Sequence, residues 1–130
     1  MGSENGAGWL DARAGNAAYR RLITRLYEHG ITMVAGTDGS SYIAELEQYE
    51  RAGVPASQVL QMATLTSARV MGIDAEFGSI AAGKAADLVI VNGKPHERIG
   101  DLRSIQLVFR AGRGYEPERL TAAMSRVVVP

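Results

Sequence analysis

The residues that most restrict the fold are Ile31-Thr32-Met33-Val34-Ala35, a short and mostly apolar run without alternation, set between two stretches of helical periodicity. An alternating strand keeps one face in water, whereas a run like this one needs cover on both faces, as in a parallel sheet flanked by helices. It therefore predicts a buried strand over 31–35 and an α/β fold. Gly36 frees the backbone after it, and Asp38 is the next ionisable group. The loops that follow parallel strands build the sites of α/β enzymes, so Asp38 is the first candidate for chemistry. Asp-Gly-Ser is also ordinary turn or cap material, and residue type alone favours that plainer reading.

The flanking periodicity is clear. Asn16 is placed to cap a helix whose Tyr19, Leu22, Ile23, Leu26 and Tyr27 share one face, with Gly30 as its stop. Arg20, Arg21 and Arg25 lie largely off that face and read as a solvated surface, while His29 in the last turn complements the helix dipole. Ser40 and Ser41 offer caps for a helix carrying Ile43, Leu46 and Tyr49, which Gly53 ends. Pro55 restarts the chain into a stripe of Val59, Leu60, Ala63, Val70 and Met71 that closes at Gly72.

Beyond Gly72 the period changes. Asp74 to Phe77 predict a turn, Gly78-Ser79-Ile80 a short extended piece, and Ala82-Gly83-Lys84 another turn. Asp87 to Val91 is the clearest strand, and Ile105 to Arg110 suits a half-buried one, with Ala111-Gly112-Arg113 turning into Gly114-Tyr115. Leu120, Ala123, Met124 and Val127 lie at helical spacing in the tail. Its final valines call for packing on the molecule, on a partner, or continuation into a longer protein.

A chain of 130 residues supports one domain with a modest core and is too short for a closed eight-fold α/β barrel, which needs roughly 200 residues or more. Fourteen basic and fourteen acidic residues give no steering toward nucleic acid or an anionic membrane, and no apolar run is long enough to span one. The absence of cysteine excludes disulfides and thiolate chemistry and is compatible with a reducing cytoplasm. Residues 1–15 read as a flexible leader without the basic and apolar regions of a secretory signal. Ser40 or Ser41 with His29 or His96 and Asp38 could be drawn as a triad, but no nucleophile elbow or oxyanion hole accompanies them. Asp87, opening a strand after a glycine turn, reads as a structural hydrogen-bonding group.

Several short pieces then fall in a familiar order: Gly36-Thr37-Asp38 after the apolar run, Glu45-Leu46, Gly53-Val54-Pro55, Ala63-Thr64, Ser67-Ala68-Arg69 with Gly72, Gly78-Ser79-Ile80, the stretch 82–89, and Arg110-Ala111-Gly112-Arg113. Together, over about residues 16 to 115, they resemble the C-terminal part of the metal-dependent amidohydrolase superfamily, nearest its imidazolonepropionase-like and Xaa-Pro-dipeptidase-like branch. The resemblance implies the last helix–strand–helix units of a TIM barrel over 16–72 and part of a composite β-sandwich over 73–116. A C-terminal helix and tail would occupy 117–130. It makes 31–35 the eighth strand, and Asp38 both a metal ligand and the catalytic proton shuttle beside zinc or another divalent ion. In that pattern the metal-activated water attacks the scissile carbon, and the aspartate passes its proton to the leaving nitrogen.

The family pattern also needs a His-X-His pair, a lysine or other ligand, and two further histidines. Here His29 and His96 stand elsewhere, and Lys84 falls in the sandwich turn. One carboxylate is short of the three or four protein ligands of a catalytic zinc. The expectation is a portion of a hydrolase of C–N bonds, acting in its intact parent on a small cyclic amide or dipeptide-like substrate. The 130 residues alone would bind no metal and turn over nothing. Ile43, where related enzymes often carry histidine, leaves the substrate open. The alternative is a catalytically silent chain that acts through packing and oligomerisation. Unpaired edges of a partial barrel and sandwich predict a homo-oligomer or association with the missing parent segments.

Overall fold

The computed structural model describes residues 12–36 and 41–125, so the leader's first eleven residues, the loop residues 37–40 with Asp38 and Ser40, and the terminal valines lie outside the described residues. Helix α1 spans Ala12–Glu28, which places Asn16 inside the helix rather than at its cap. It ends where Gly30 adopts φ +66°, with Gly30 N–H donating to Tyr27 O (3.0 Å) and Ile31 N–H to Leu26 O (3.0 Å), the paired bonds of a Schellman cap. The same pair of bonds recurs at Gly53 and at Gly72.

Residues 31–36 follow as a connection without regular structure, and the strand expected over Ile31–Ala35 is not formed. An unalternating run becomes a strand only where neighbours complete its ladder, and among the described residues the one sheet lies elsewhere in the chain. Burial follows suit: Met33 is buried, but Ile31 is 53% and Val34 40% exposed, so the run is covered on one side.

Helix α2, Tyr42–Arg51, starts after Ser41, whose side chain makes no capping bond. Helix α3, Ala56–Gln61, passes into a single π turn, Met62–Thr66, and then into a short α4, Ser67–Val70. The wide turn is laced by hydroxyls: Thr64 Oγ1 donates to Leu60 O (2.6 Å) and Ser67 Oγ to Met62 O (2.6 Å). Gly78 lies directly against it. A Cβ there would stand 2.6 Å from Ala68 Cβ and 3.0 Å from both Leu65 Cα and Thr64 O, and φ is +84°. The predicted extended piece at 78–80 is a bend imposed by this approach.

Strands β1 (Leu88–Val91), β2 (Ile105–Arg110) and β3 (Arg113–Tyr115) form an antiparallel sheet in the order β1-β2-β3. Val89 faces Val108, Ile90 faces Leu107, and Val108 in turn faces Tyr115, with a slip in register between Ile90 and Val91. Asp87 takes the structural role expected of it: it pairs with Arg110 and accepts Ala111 N–H (2.7 Å), pinning the β2–β3 turn to the start of β1. Helix α5, Pro117–Ser125, follows the sheet and packs beside β2.

The core is largely helical. Leu46, Val54 and Val59 are fully buried with Ile23, Met33, Tyr49, Ala56 and Met62 around them. Ile99, on a 3-10 turn over Ile99–Arg103 between β1 and β2, is as buried as any of them and belongs to the same cluster. Two carboxylates of α2 hold that turn: Glu50 accepts Ile99 N–H (3.4 Å), and Glu47 takes Arg103 in a two-pronged pair (2.9 and 3.1 Å). The arginine bonds and the charges of Arg103 and Arg51 hold the Glu47 carboxyl below the usual carboxylate range despite its partial desolvation. Among the described residues no helix is long and apolar enough to cross a membrane.

Candidate functional site

The region to which the sequence points is the exit of residues 31–36 together with the first two turns of α2. Asp38 itself, the candidate catalytic and metal-binding residue, lies outside the described residues, and its two flanks are described. On the incoming side, Gly36 N–H donates to Glu45 Oε1 (3.3 Å). On the outgoing side, Ser41 leads into α2, so that Tyr42, Glu45 and Tyr49 follow at spacings that keep them on one side of the helix.

Tyr49 is the rigid member of this group. Its ring is 6% exposed within the core, and its hydroxyl lies 2.7 Å from Glu45 Oε1 and 3.3 Å from Val34 O. A phenol carries one proton, so the shorter, charge-assisted bond to the carboxylate takes it. Burial, then the bond to Glu45 and its negative charge, with Tyr19 nearby, push the Tyr49 phenol well above the ordinary tyrosine range. Tyr42, whose hydroxyl reaches Ala63 O at 3.4 Å on the π turn, is raised by partial burial and then by the Glu45 charge. Glu45 Oε2 is buried and has no hydrogen-bond partner among the described residues.

The other sequence candidates are dispersed. His29 Nδ1–H donates to Arg25 O (2.8 Å) at the end of α1 and is exposed. His96 is exposed beside Glu97. Lys84 donates to the carbonyls of Asp74 and Phe77 and ties the turn that precedes the sheet. Arg20 donates to Gln48 Oε1 (3.2 Å), while Arg21 and Arg25 face solvent as the solvated reading requires. Among the described residues no three His, Cys, Asp or Glu side chains converge as a metal site. They do not by themselves fit a divalent ion, which needs at least three protein ligands. Sequence reasoning assigns Glu45 no role of its own; the available signal is an acidic residue four positions before Tyr49 and next to Leu46, on the buried stripe of α2.

The described residues make an α/β chain, a largely helical core joined to a small antiparallel sheet. Residues 16–115 match the model of the amidohydrolase family, and the chain belongs to that family. It is similar to 5'-deoxyadenosine deaminase of Methanothermobacter thermautotrophicus, with 37% identity over 57% of this chain and 21% of that protein. It is also similar to 5-methylthioadenosine/S-adenosylhomocysteine deaminase of Symbiobacterium thermophilum, with 30% identity over 72% of this chain and 26% of that protein. Among solved structures, a Xaa-Pro dipeptidase with methionine bound in its active site superposes with a TM-score of 0.72 and 30% identity, over 81% of this chain and 27% of the dipeptidase. The chain thus spans about a fifth to a quarter of the length of the curated relatives it matches.

Proposed function

We propose that this chain supplies the proton-handling carboxylate of a C–N hydrolase whose remaining groups lie on further polypeptide. The observation that carries the reading is the collinear family match from 16 to 115, which includes Gly36-Thr37-Asp38 and runs on through α2 and the sheet. Asp38 would take the proton of the attacking water and deliver it to the departing nitrogen, a general acid–base role that a single positioned carboxylate can fill. The family typically works with a divalent metal such as zinc. Its other ligands would have to come from outside these residues, because Asp38 alone is short of the three or four protein ligands of a catalytic zinc.

The substrate class is a small molecule with a hydrolysable C–N bond. The dipeptidase likeness supports a dipeptide-like substrate, and the two deaminase relatives support loss of an exocyclic amine from an adenosine-type compound. Segment 16–72 would be the closing portion of a TIM barrel, and 73–116 its share of a β-sandwich. The free edge of β1, where Val89 and Ile90 are 55% and 49% exposed, supports pairing with that further polypeptide or with a second copy. A reducing cytoplasm is the compartment proposed, in line with a chain free of cysteine.

The test combines the purified chain with the remainder of a family member as a second polypeptide and divalent metal. Release of ammonia from 5'-deoxyadenosine and of proline from an Xaa-Pro dipeptide is then followed. The two polypeptides should cosediment, turnover should require both, and Asp38→Asn should lower it by about 10²- to 10⁴-fold. Turnover that survives Asp38→Asn unchanged would overturn the assignment.

A further inference from the structure

We propose that Asn92 and Gly93 form a self-modification site at which the Asn92 amide is lost as ammonia through a succinimide, and that the product loosens the turn carrying Ile99. Asparagine is a thermolabile residue. Its loss by this route needs a side chain open to water and a following backbone nitrogen that neither a side chain nor a hydrogen bond screens. Asn92 and Gly93 are both exposed, just past the end of β1. Among the described residues neither the Asn92 side-chain amide nor the Gly93 N–H has a hydrogen-bond partner. The Asn92 N–H donates to Ser104 O (2.9 Å), so the pairing of β1 with β2 stops one residue short of the reacting nitrogen.

The fold itself dictates the glycine. Gly93 has φ +122°, and a Cβ there would stand 2.7 Å from Asp101 Cγ and nearer still to its Oδ2. A side chain would be strained and would collide with that carboxylate, so the neighbour that screens Asn92 least is the one the turn requires. Asp101 is engaged with the residues beyond: Oδ2 accepts Lys94 N–H (2.8 Å) and Oδ1 accepts Arg98 Nε–H (2.7 Å). In the reaction a base in solution takes the Gly93 N–H proton and the nitrogen attacks Asn92 Cγ. The N–Cγ bond closes a five-membered ring, the Cγ–Nδ2 bond breaks, and Nδ2 leaves as ammonia with a proton from water. Water then opens the ring at either carbonyl, giving an aspartate at position 92 or an isoaspartate whose main chain runs through Cβ and Cγ. Nothing is oxidised or reduced. Either product adds a second carboxylate to the turn that Asp101 occupies, and like charge there weakens the hold of Asp101 on Lys94 and Arg98. Those bonds brace the 3-10 turn from which Ile99 enters the core.

Peptide mapping of the 130-residue chain aged between pH 7 and pH 9 tests the site. Asn5→Gln removes the chain's other Asn-Gly pair, and isomerisation at Asp38-Gly39 releases no ammonia and changes no mass, so neither interferes. Residue 92 is expected to lose ammonia at least tenfold faster than Asn16 within α1, and about tenfold faster for each pH unit because the attacking form is the deprotonated nitrogen. The folded rate is expected within a hundredfold of that in urea, with isoaspartate among the products. Asn92→Gln changes an exposed side chain with no bond to lose, so it folds, and it resists because its ring would be larger. In the modified chain the Ser104 amide, which donates to Asp101 O (3.0 Å), loses hydrogen-exchange protection at least fivefold, and in equally aged Asn92→Gln it does not. A folded rate further below that in urea, a rate less than tenfold above that of Asn16, no rise with pH, or ammonia loss without isoaspartate would each overturn the site. Unchanged protection at Ser104 in the modified chain would overturn its effect on the turn.

Discussion

Tyr49 shows how one side chain joins the core to the candidate site. Replacing it by Phe keeps the ring and removes the donor, leaving Glu45 Oε1 with Gly36 N–H as its hydrogen-bond partner among the described residues, so the chain should lose about 1–2 kcal/mol at neutral pH. The pH dependence has a definite sign. Because the folded phenol binds its proton more tightly than an unfolded tyrosine does, its contribution is complete below about pH 10 and is lost as pH rises above that, when the unfolded chain ionises first. Urea melts from pH 8 to 11 should show a steep alkaline decline in the unaltered chain and a shallower one in Tyr49→Phe. Equal slopes would mean that the phenol is not held as described. At this scale the sequence is half informative. Tyr49 reads as core from its spacing with Leu46, and helical spacing alone puts Glu45, four positions before it, within reach of its hydroxyl; the Val34 carbonyl comes near only once the chain has folded back.

Elements were legible where the pattern is local. The stripes of α1, α2 and α3, the glycine stops, and the runs over 88–91 and 105–110 can all be read from one to three turns or one strand of sequence. Residues 31–35 read as a strand and form none among the described residues, because apolar character reports a need for burial and says nothing of whether a ladder partner is present. The π turn escaped for a different reason: Met62 to Thr66 carries the same apolar spacing an α-helix would, and the widening shows only in the hydroxyl bonds and in the approach of Gly78. That approach is testable by comparison. Gly78→Ala adds a methyl against backbone and Ala68 Cβ in a left-handed conformation and should cost about 3 kcal/mol. Gly83→Ala, at φ +86° with nothing within 4 Å, carries the conformational strain alone and should cost about 1 kcal/mol. Denaturant midpoints that fall equally for the two would show that contact with the π turn contributes nothing.

Across the whole molecule the decisive residue is Ile99, and no local pattern marks it. Its turn lies between two strands in a stretch that reads as polar loop, yet its side chain is fully buried among residues of the helical half, and Glu47 and Glu50 clasp the same turn from α2. A non-local contact of this kind makes the helical core and the sheet share one free energy of unfolding. Ile99→Ala should cost about 3 kcal/mol, within the range for truncating a fully buried isoleucine. The cost should also be distributed, because the sheet is built on the strands to either side of that turn while the vacated space opens against α2 and α3. Hydrogen exchange distinguishes this from a local defect. Amides of Leu107 and Val108 in β2 and of Leu46 and Tyr49 in α2 should lose protection together and by the same factor, as one cooperative unit. If β2 alone loosens while α2 keeps its protection, Ile99 only plugs a surface turn, and the two halves of the chain unfold independently.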